Sequence, residues 1–314
     1  MVGDGDGPER TGSGAPENSG LESGRSCHPG VVSLHHENWG RGRRLVLAHG
    51  FTQNLGCWGP FGHDLAADHE VVMVDLPGHG RTPPDHDKAD LATTGRLLGE
   101  VGGHGVYVGY SMGGRAALHT ALEHPGLVAG LVLIGATAGI DEVEGRLARR
   151  EADEVLARRL LDDGLERFIP HWLANPLFAG LSDAAACLPA RLDNRPQGLA
   201  ATLRRRGTGN QEPLWSRLGE LTMPVLVLAG DDDAKFVALG QRLVEALPRA
   251  ELVTLPAAHS VHLQCPTTTA GVVRSFVDGL STGGEFGTGG EFGTGDEPIA
   301  SEGPGVGEGP GVVT

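Results

Sequence analysis

The sequence predicts an α/β fold: a mostly parallel sheet flanked by helices, with an α-helical insertion. Three observations carry that expectation. Short aliphatic runs recur at 44–48, 71–75, 106–110, 128–135, 224–229 and 251–255, as strands buried on both faces require. Helix-patterned segments near 87–101, 112–124, 236–247 and 267–280 fall between or after them, and such alternation is the mark of a parallel sheet. From about 139 to 215 the alternation stops, and Arg, Ala and Leu recur at helical spacing with Phe168, Trp172 and Trp215 among them.

Each element ends on residues with a purpose. The run at 44–48 leads directly into His49-Gly50-Phe51, and the run at 71–75 into a tight turn, Leu76-Pro77-Gly78-His79-Gly80. His49 and His79 are expected to be structural hydrogen-bonding residues of those turns. The run at 106–110 leads into Gly109-Tyr110-Ser111-Met112-Gly113-Gly114-Arg115, and a helical segment follows. A G-x-S-x-G pattern in that setting is a nucleophile elbow, in which a sharp strand-to-helix turn projects the serine hydroxyl. The run at 128–135 is too short to cross a membrane and fits a central strand. The insertion at 139–215 comes next, placed where it can cover the carboxyl edge of the sheet, the usual ligand site of such folds.

The two ends differ from the middle. Residues 1–30 are rich in Gly, Ser, Pro and charge, and residues 281–314 hold a tandem hexapeptide followed by acidic Gly/Pro sequence. Neither offers the apolar surface needed to offset ordering entropy, so both are expected to be disordered tails around one folded domain at 31–280. Of the net charge of −15, residues 1–30 carry −3 and residues 281–314 carry −6, leaving −6 on the middle. That balance gives no basic face for nucleic acid. No apolar run reaches membrane-spanning length, and no hydrophobic leader is visible. Cys27, Cys57, Cys187 and Cys265 are scattered without a C-x-x-C pair, which suits free thiols in a cytoplasmic protein. A soluble monomer acting on a small molecule is expected.

Ser111 needs partners. In this architecture the acid follows a later strand and the histidine follows the next one. The run at 224–229 ends in Asp231-Asp232-Asp233, and the run at 251–255 leads to His259. His259 would accept the serine proton, and a carboxylate would hold its tautomer. The residues alone leave the choice among the three aspartates open. An oxyanion would be met by the backbone amides of Phe51 and Met112. His262 lies three residues after His259, but no further ligand spacing accompanies the pair, so neither a metal nor a cofactor is expected.

Together these features resemble the α/β-hydrolase superfamily over residues 31–280. Within it the chain is similar to the synthases that make 2-succinyl-6-hydroxy-2,4-cyclohexadiene-1-carboxylate in menaquinone biosynthesis. The stretches that carry this are Gly109–Arg115, Ala148–Asp153, Phe168–Trp172, Arg191–Asn194, Gly198–Ala200, Gly207–Gln211 and Lys235-Phe236. The resemblance implies a lyase on a hydrolase scaffold. Its substrate is a succinyl-cyclohexene bearing a pyruvyl enol ether, from which pyruvate is eliminated. It also implies Asp233 as the acid, Arg115, Arg149 and Arg191 as cations for a tricarboxylate, and Tyr110 and Trp172 as pocket residues. Guanidinium suits that task because it is a planar fork that keeps its charge. A carboxylesterase or a carbon–carbon bond hydrolase with the same serine, acid and histidine is the alternative reading. Convergence of the three arginines on Ser111 would favour the lyase.

Overall fold

A computed structural model describes residues 33–282. The tails expected at 1–30 and 281–314 lie outside the described residues, except that Ser281 and Thr282 end the last helix. In chain order the elements are β1 (His36–Trp39), β2 (Arg43–Ala48), α1 (Gly59–Leu65), β3 (His69–Val74), α2 (Leu91–Gly102), β4 (Gly105–Tyr110), α3 (Met112–Glu123) and β5 (Val128–Ile134). The insertion then supplies α4 (Val143–Asp163), α5 (Leu165–Leu173), α6 (Leu188–Leu192) and α7 (Pro196–Arg206). The chain closes with β6 (Val225–Gly230), α8 (Ala234–Ala246), β7 (Ala250–Leu255), α9 (Val261–Gln264) and α10 (Pro266–Thr282).

Seven strands form one sheet in the order β1-β3-β2-β4-β5-β6-β7. Only β1 runs antiparallel. The six parallel strands match the aliphatic runs to within a residue or two. Their period-two alternation divides the core into two layers. Val46, Val72, Tyr107, Leu131, Leu133 and Val227 pack on one face with residues of α2, α3 and α8. Leu45, Leu47, Val71, Val106, Val108, Val132 and Leu226 pack on the other with α1 and α10. Helices on both faces explain why these strands are continuously apolar.

The register brings the strand ends level. Ala48 pairs with Val74 and with Gly109, Gly109 with Leu133, Ile134 with Leu228, and Leu228 with Val253. Every turn after a parallel strand therefore emerges along one edge. The insertion covers that edge with its own small core of Ala157, Leu160, Phe168, Ile169, Leu199 and Leu203, against which Phe51 and Trp172 also pack. Among the described residues no helix is long and apolar enough to cross a membrane, and no cluster of three or more ligands could hold a metal.

The edge tolerates little extra bulk. Gly113, in the first turn of α3, lies so close to β2 that a Cβ there would meet the Ala48 carbonyl oxygen at 1.8 Å. Gly113→Ala should therefore destabilise the fold by about 2–3 kcal/mol or more. Gly126→Ala, where a Cβ would meet nothing within 4 Å, should stay near wild type. Thermal unfolding of the two variants checks this, and equal melting temperatures would contradict the packing.

Candidate active site

Ser111 occupies the turn between β4 and α3 with φ 50° and ψ −107°. A non-glycine residue rarely accepts that conformation, and it persists only where surrounding structure enforces it. Here the enforcement is visible. Ser111 N donates to Ile134 O on β5 at 2.8 Å, and Arg115 N donates back to Ser111 O at 3.1 Å. The side chain is thus held at the sheet edge, where the N-terminus of α3 favours negative charge.

His259 and Asp233 meet on the neighbouring turns. His259 Nδ1 lies 2.9 Å from Asp233 Oδ2, and both side chains are buried. The other carboxylate oxygen, Oδ1, accepts from Phe236 N at 3.2 Å and so caps α8. Asp231 and Asp232 are exposed, and Asp233 is the aspartate of this loop that meets the imidazole. Tyr110 and Phe236 flank the imidazole, with ring centroids 5.3 and 4.3 Å away. Ser111 and His259 line the same cavity.

Phe51, Met112, Tyr110, Trp172, Arg115 and Arg149 line that cavity too. Met112 is the first residue of α3, so its amide is one of the donors a helix start leaves unpaired. Phe51 sits in a turn closed by Gln53 N donating to Gly50 O at 3.2 Å. Its ring meets Trp172 edge-on at 5.2 Å. The Tyr110 hydroxyl is 2.7 Å from Ser260 Oγ, and burial pushes it up to about 12.

The arginines divide. Arg115 is 7% exposed and is bound by Gln211 Oε1 at 3.3 Å. Burial, reinforced by the charge of Arg149, pulls it down to about 9, so it stays cationic at neutral pH. Arg149 reaches the cavity from α4 with its Nε 2.8 Å from Asp153 Oδ1. Arg191 does not line the cavity. It is buried on α6, donating Nε to Ala186 O at 2.7 Å and Nη1 to Thr52 Oγ1, while Nη2 has no partner. The expected three-arginine convergence on Ser111 is therefore a two-arginine convergence. Arg191 is drawn away by the carbonyl and hydroxyl that surround α6.

The two turn histidines fill the structural roles expected of them. Leu76 N donates to His49 Nε2 at 3.1 Å, so the proton sits on Nδ1, which donates to Gly50 O at 2.8 Å. His79 Nδ1 lies 3.1 Å from Pro77 O, and burial holds the ring well below the usual imidazole range. Several lining residues escaped the sequence reading: Phe178, Thr202, Arg206 and Thr208. Arg206 is fully buried, donating to Ala89 O and to Thr202 Oγ1. Its place on the buried side of α7, one turn after Thr202 and Leu203, was the available signal.

A family model described as the Alpha/beta hydrolase family matches residues 45–272. The chain belongs to the alpha/beta hydrolase family. A Bacillus subtilis (strain 168) protein, provisionally named 2-succinyl-6-hydroxy-2,4-cyclohexadiene-1-carboxylate synthase, is 34% identical over 246 residues, spanning 74% of this chain and 89% of the relative. An Escherichia coli O1:K1 protein bearing that synthase name is 31% identical over 240 residues, spanning 74% and 91%. Among solved structures, MenH from S. aureus superposes with a TM-score of 0.75 at 27% identity, covering 79% of this chain and 99% of the other. A Thermogutta terrifontis esterase superposes with a TM-score of 0.68 at 23% identity, over 82% and 97% of the chains, a likeness of fold alone.

One neighbouring group makes the site acid-sensitive. His262 lies 4.3 Å from Tyr110 and 5.0 Å from Trp58, ring to ring, with neither nitrogen hydrogen-bonded. Burial pulls it from 6.5 down to about 3. The folded protein then keeps the ring neutral where the unfolded chain protonates it. Its share of stability is complete above pH 6.5 and is lost as pH falls toward 3. At about pH 4.5 this ring alone should cost roughly 2–3 kcal/mol. The melting temperature of His262→Phe should fall less between pH 7 and 4.5 than that of wild type, and parallel falls would contradict the assignment.

Proposed function

We propose that the protein is a carbon–oxygen lyase. It eliminates pyruvate from 2-succinyl-5-enolpyruvyl-6-hydroxy-3-cyclohexene-1-carboxylate to give 2-succinyl-6-hydroxy-2,4-cyclohexadiene-1-carboxylate, the activity named in its relatives. One observation carries this reading beyond family membership. Arg115 and Arg149 line the same cavity as Ser111 and His259, and guanidinium pairs there are suited to substrate carboxylates.

In the proposed mechanism His259 takes the Ser111 proton, and the alkoxide removes a proton from the cyclohexene ring. Asp233 stabilises the imidazolium. The electron pair of the broken C–H bond passes onto the succinyl carbonyl, and the resulting enolate oxygen is met by the Phe51 and Met112 amides. The enolate then collapses: the carbonyl re-forms, a double bond forms between ring carbons 2 and 3, the existing ring double bond shifts to carbons 4 and 5, and the carbon–oxygen bond at carbon 5 breaks. This expels the enolate of pyruvate, which takes up the proton held by the His259 imidazolium. No acyl-enzyme forms. The serine is a proton carrier, and its strained turn serves to aim a base. Tyr110 and Trp172 form the wall. Arg191, buried beside the cavity, adds its charge to the field around Tyr110 without touching the substrate. The free thiols Cys57, Cys187 and Cys265 suit the reducing cytoplasm in which we place it.

The purified protein should release pyruvate in proportion to enol ether consumed. Ser111→Ala should lower that rate by about a thousandfold, since the proton relay fails as a unit. Arg115→Ala should lower kcat/KM roughly ten- to a hundredfold by leaving a substrate carboxylate unpaired. Hydrolysis of neutral esters without any pyruvate release would replace this reading with the esterase alternative.

A further inference from the structure

Asp153 is a carboxylate buried where the elimination needs none. It lies on α4 and is 1% exposed. Its Oδ1 accepts from Arg149 Nε at 2.8 Å, and its Oδ2 has no hydrogen-bond partner. The space for it comes from the far limb of the cap. A Cβ on Gly207 would come within 2.2 Å of Asp153 Oδ2 and 2.5 Å of Leu203 O. Burial raises the carboxyl above its usual range, and the charge of Arg149 opposes that rise. The same carboxylate supports the cationic form of Arg115.

An exposed i,i+4 ion pair on a helix contributes little and would need no burial. Here one partner is withdrawn from water, which is costly, while the other keeps its head at the cavity. The geometry of the bond supplies the purpose. It engages Nε of Arg149 and leaves the two terminal nitrogens, which form the end-on fork for a carboxylate. A long arginine otherwise loses much rotamer freedom when it grips a ligand. Holding Nε in advance removes part of that cost.

We propose that Asp153 is a positioning residue whose carboxylate holds Arg149 by Nε, so that its terminal nitrogens face the Ser111 cavity as a preformed clamp for one substrate carboxylate. The inference rests on the anionic-substrate reading given above. It concerns binding, so it predicts an effect on KM and little on kcat.

The test is steady-state kinetics on the enol ether with Asp153→Ala, Asp153→Asn, Arg149→Ala and the double variant Asp153→Ala/Arg149→Ala. Asp153→Ala should raise KM about tenfold with kcat within about twofold of wild type. Asp153→Asn should recover most of that loss, because its amide oxygen still accepts from Nε. The double variant should be no worse than Arg149→Ala, since both changes remove one clamp. If Asp153→Ala is too unstable to purify, Asp153→Ser replaces it, its hydroxyl being too short to reach Nε. An unchanged KM for the Asp153 variant beside a raised KM for Arg149→Ala would overturn the proposal. So would multiplicative effects in the double variant. An unchanged KM for Arg149→Ala itself would instead overturn the anionic-substrate reading beneath it.

Discussion

The contact between the first turn of α3 and the end of β2 is the constraint on which the rest of the site depends. Gly113 lies against the Ala48 carbonyl with no room for a side chain. That approach forces the chain to reverse within one residue, and Ser111 absorbs the reversal at φ 50°. The helix start is thereby aimed at the sheet edge, with the Met112 amide at its tip. On one side lies the Phe51 turn, which follows the same strand that Gly113 touches. On the other lies Gly135, next to Ile134, whose carbonyl receives the Ser111 amide. A Cβ on Gly135 would meet the His259 ring at 2.8 Å. The strained serine, its amides and the imidazole are therefore one packing unit, tied through β2, β4 and β5.

Electrostatics of the cap are built on a different principle. The sheet edge is held by backbone approach; the cap is held by arginine. Arg206 ties α7 to the 84–89 turn, Arg191 ties α6 to Thr52, and Arg150 ties α4 to Gly209. Each donates to neutral carbonyls or hydroxyls; Arg206, which lines the cavity, and Arg191, buried beside it, therefore bring positive charge to the site without cancelling it, whereas Arg150 is exposed. The acid of Asp153 faces two guanidiniums and neutralises one charge between them. A chain whose net charge is −15 thus presents a locally cationic cavity. Bulk charge of one sign and site charge of the other are compatible because exposed charges beyond about 8–10 Å are screened, while buried ones are screened far less.

Much of this was legible in the sequence, for reasons that differ by element. The six parallel strands are buried on both faces, so their apolar character survives as plain aliphatic runs. The antiparallel β1 did not show, because His36-Glu37-Asn38-Trp39 is a four-residue edge strand of polar composition. Helix α1 was hidden by Gly59, Pro60 and Gly62, poor helix formers whose placement depends on packing beneath β3. Ser111, the aspartate turn at 231–233 and His259 could be named because each lies within a few residues of a strand end, while the choice of Asp233 within that turn came from resemblance alone. Arg191 could be named from resemblance, but its orientation could not be read. Whether a cap arginine faces a cavity or a carbonyl is decided by how short helices pack, and composition carries no record of that.

The balance of charge in the cavity also bears on which reaction the scaffold suits. An esterase and this chain share a fold, so the serine turn and its amides cannot distinguish them. Buried cations can. Arg115 is almost fully withdrawn from water, with a glutamine oxygen for its partner, an arrangement that raises the free energy of the empty site. A neutral ester would leave that burden uncompensated throughout turnover. A polycarboxylate would relieve it on binding, and that relief would be spent on orientation before any bond changes. Proton abstraction by an aimed alkoxide depends on such orientation more than acyl transfer does, because the ring C–H offers the base no hydrogen bond of its own. A preformed, cation-lined cavity above a strained serine therefore fits a reaction in which the substrate is held by its carboxylates and the serine moves only a proton.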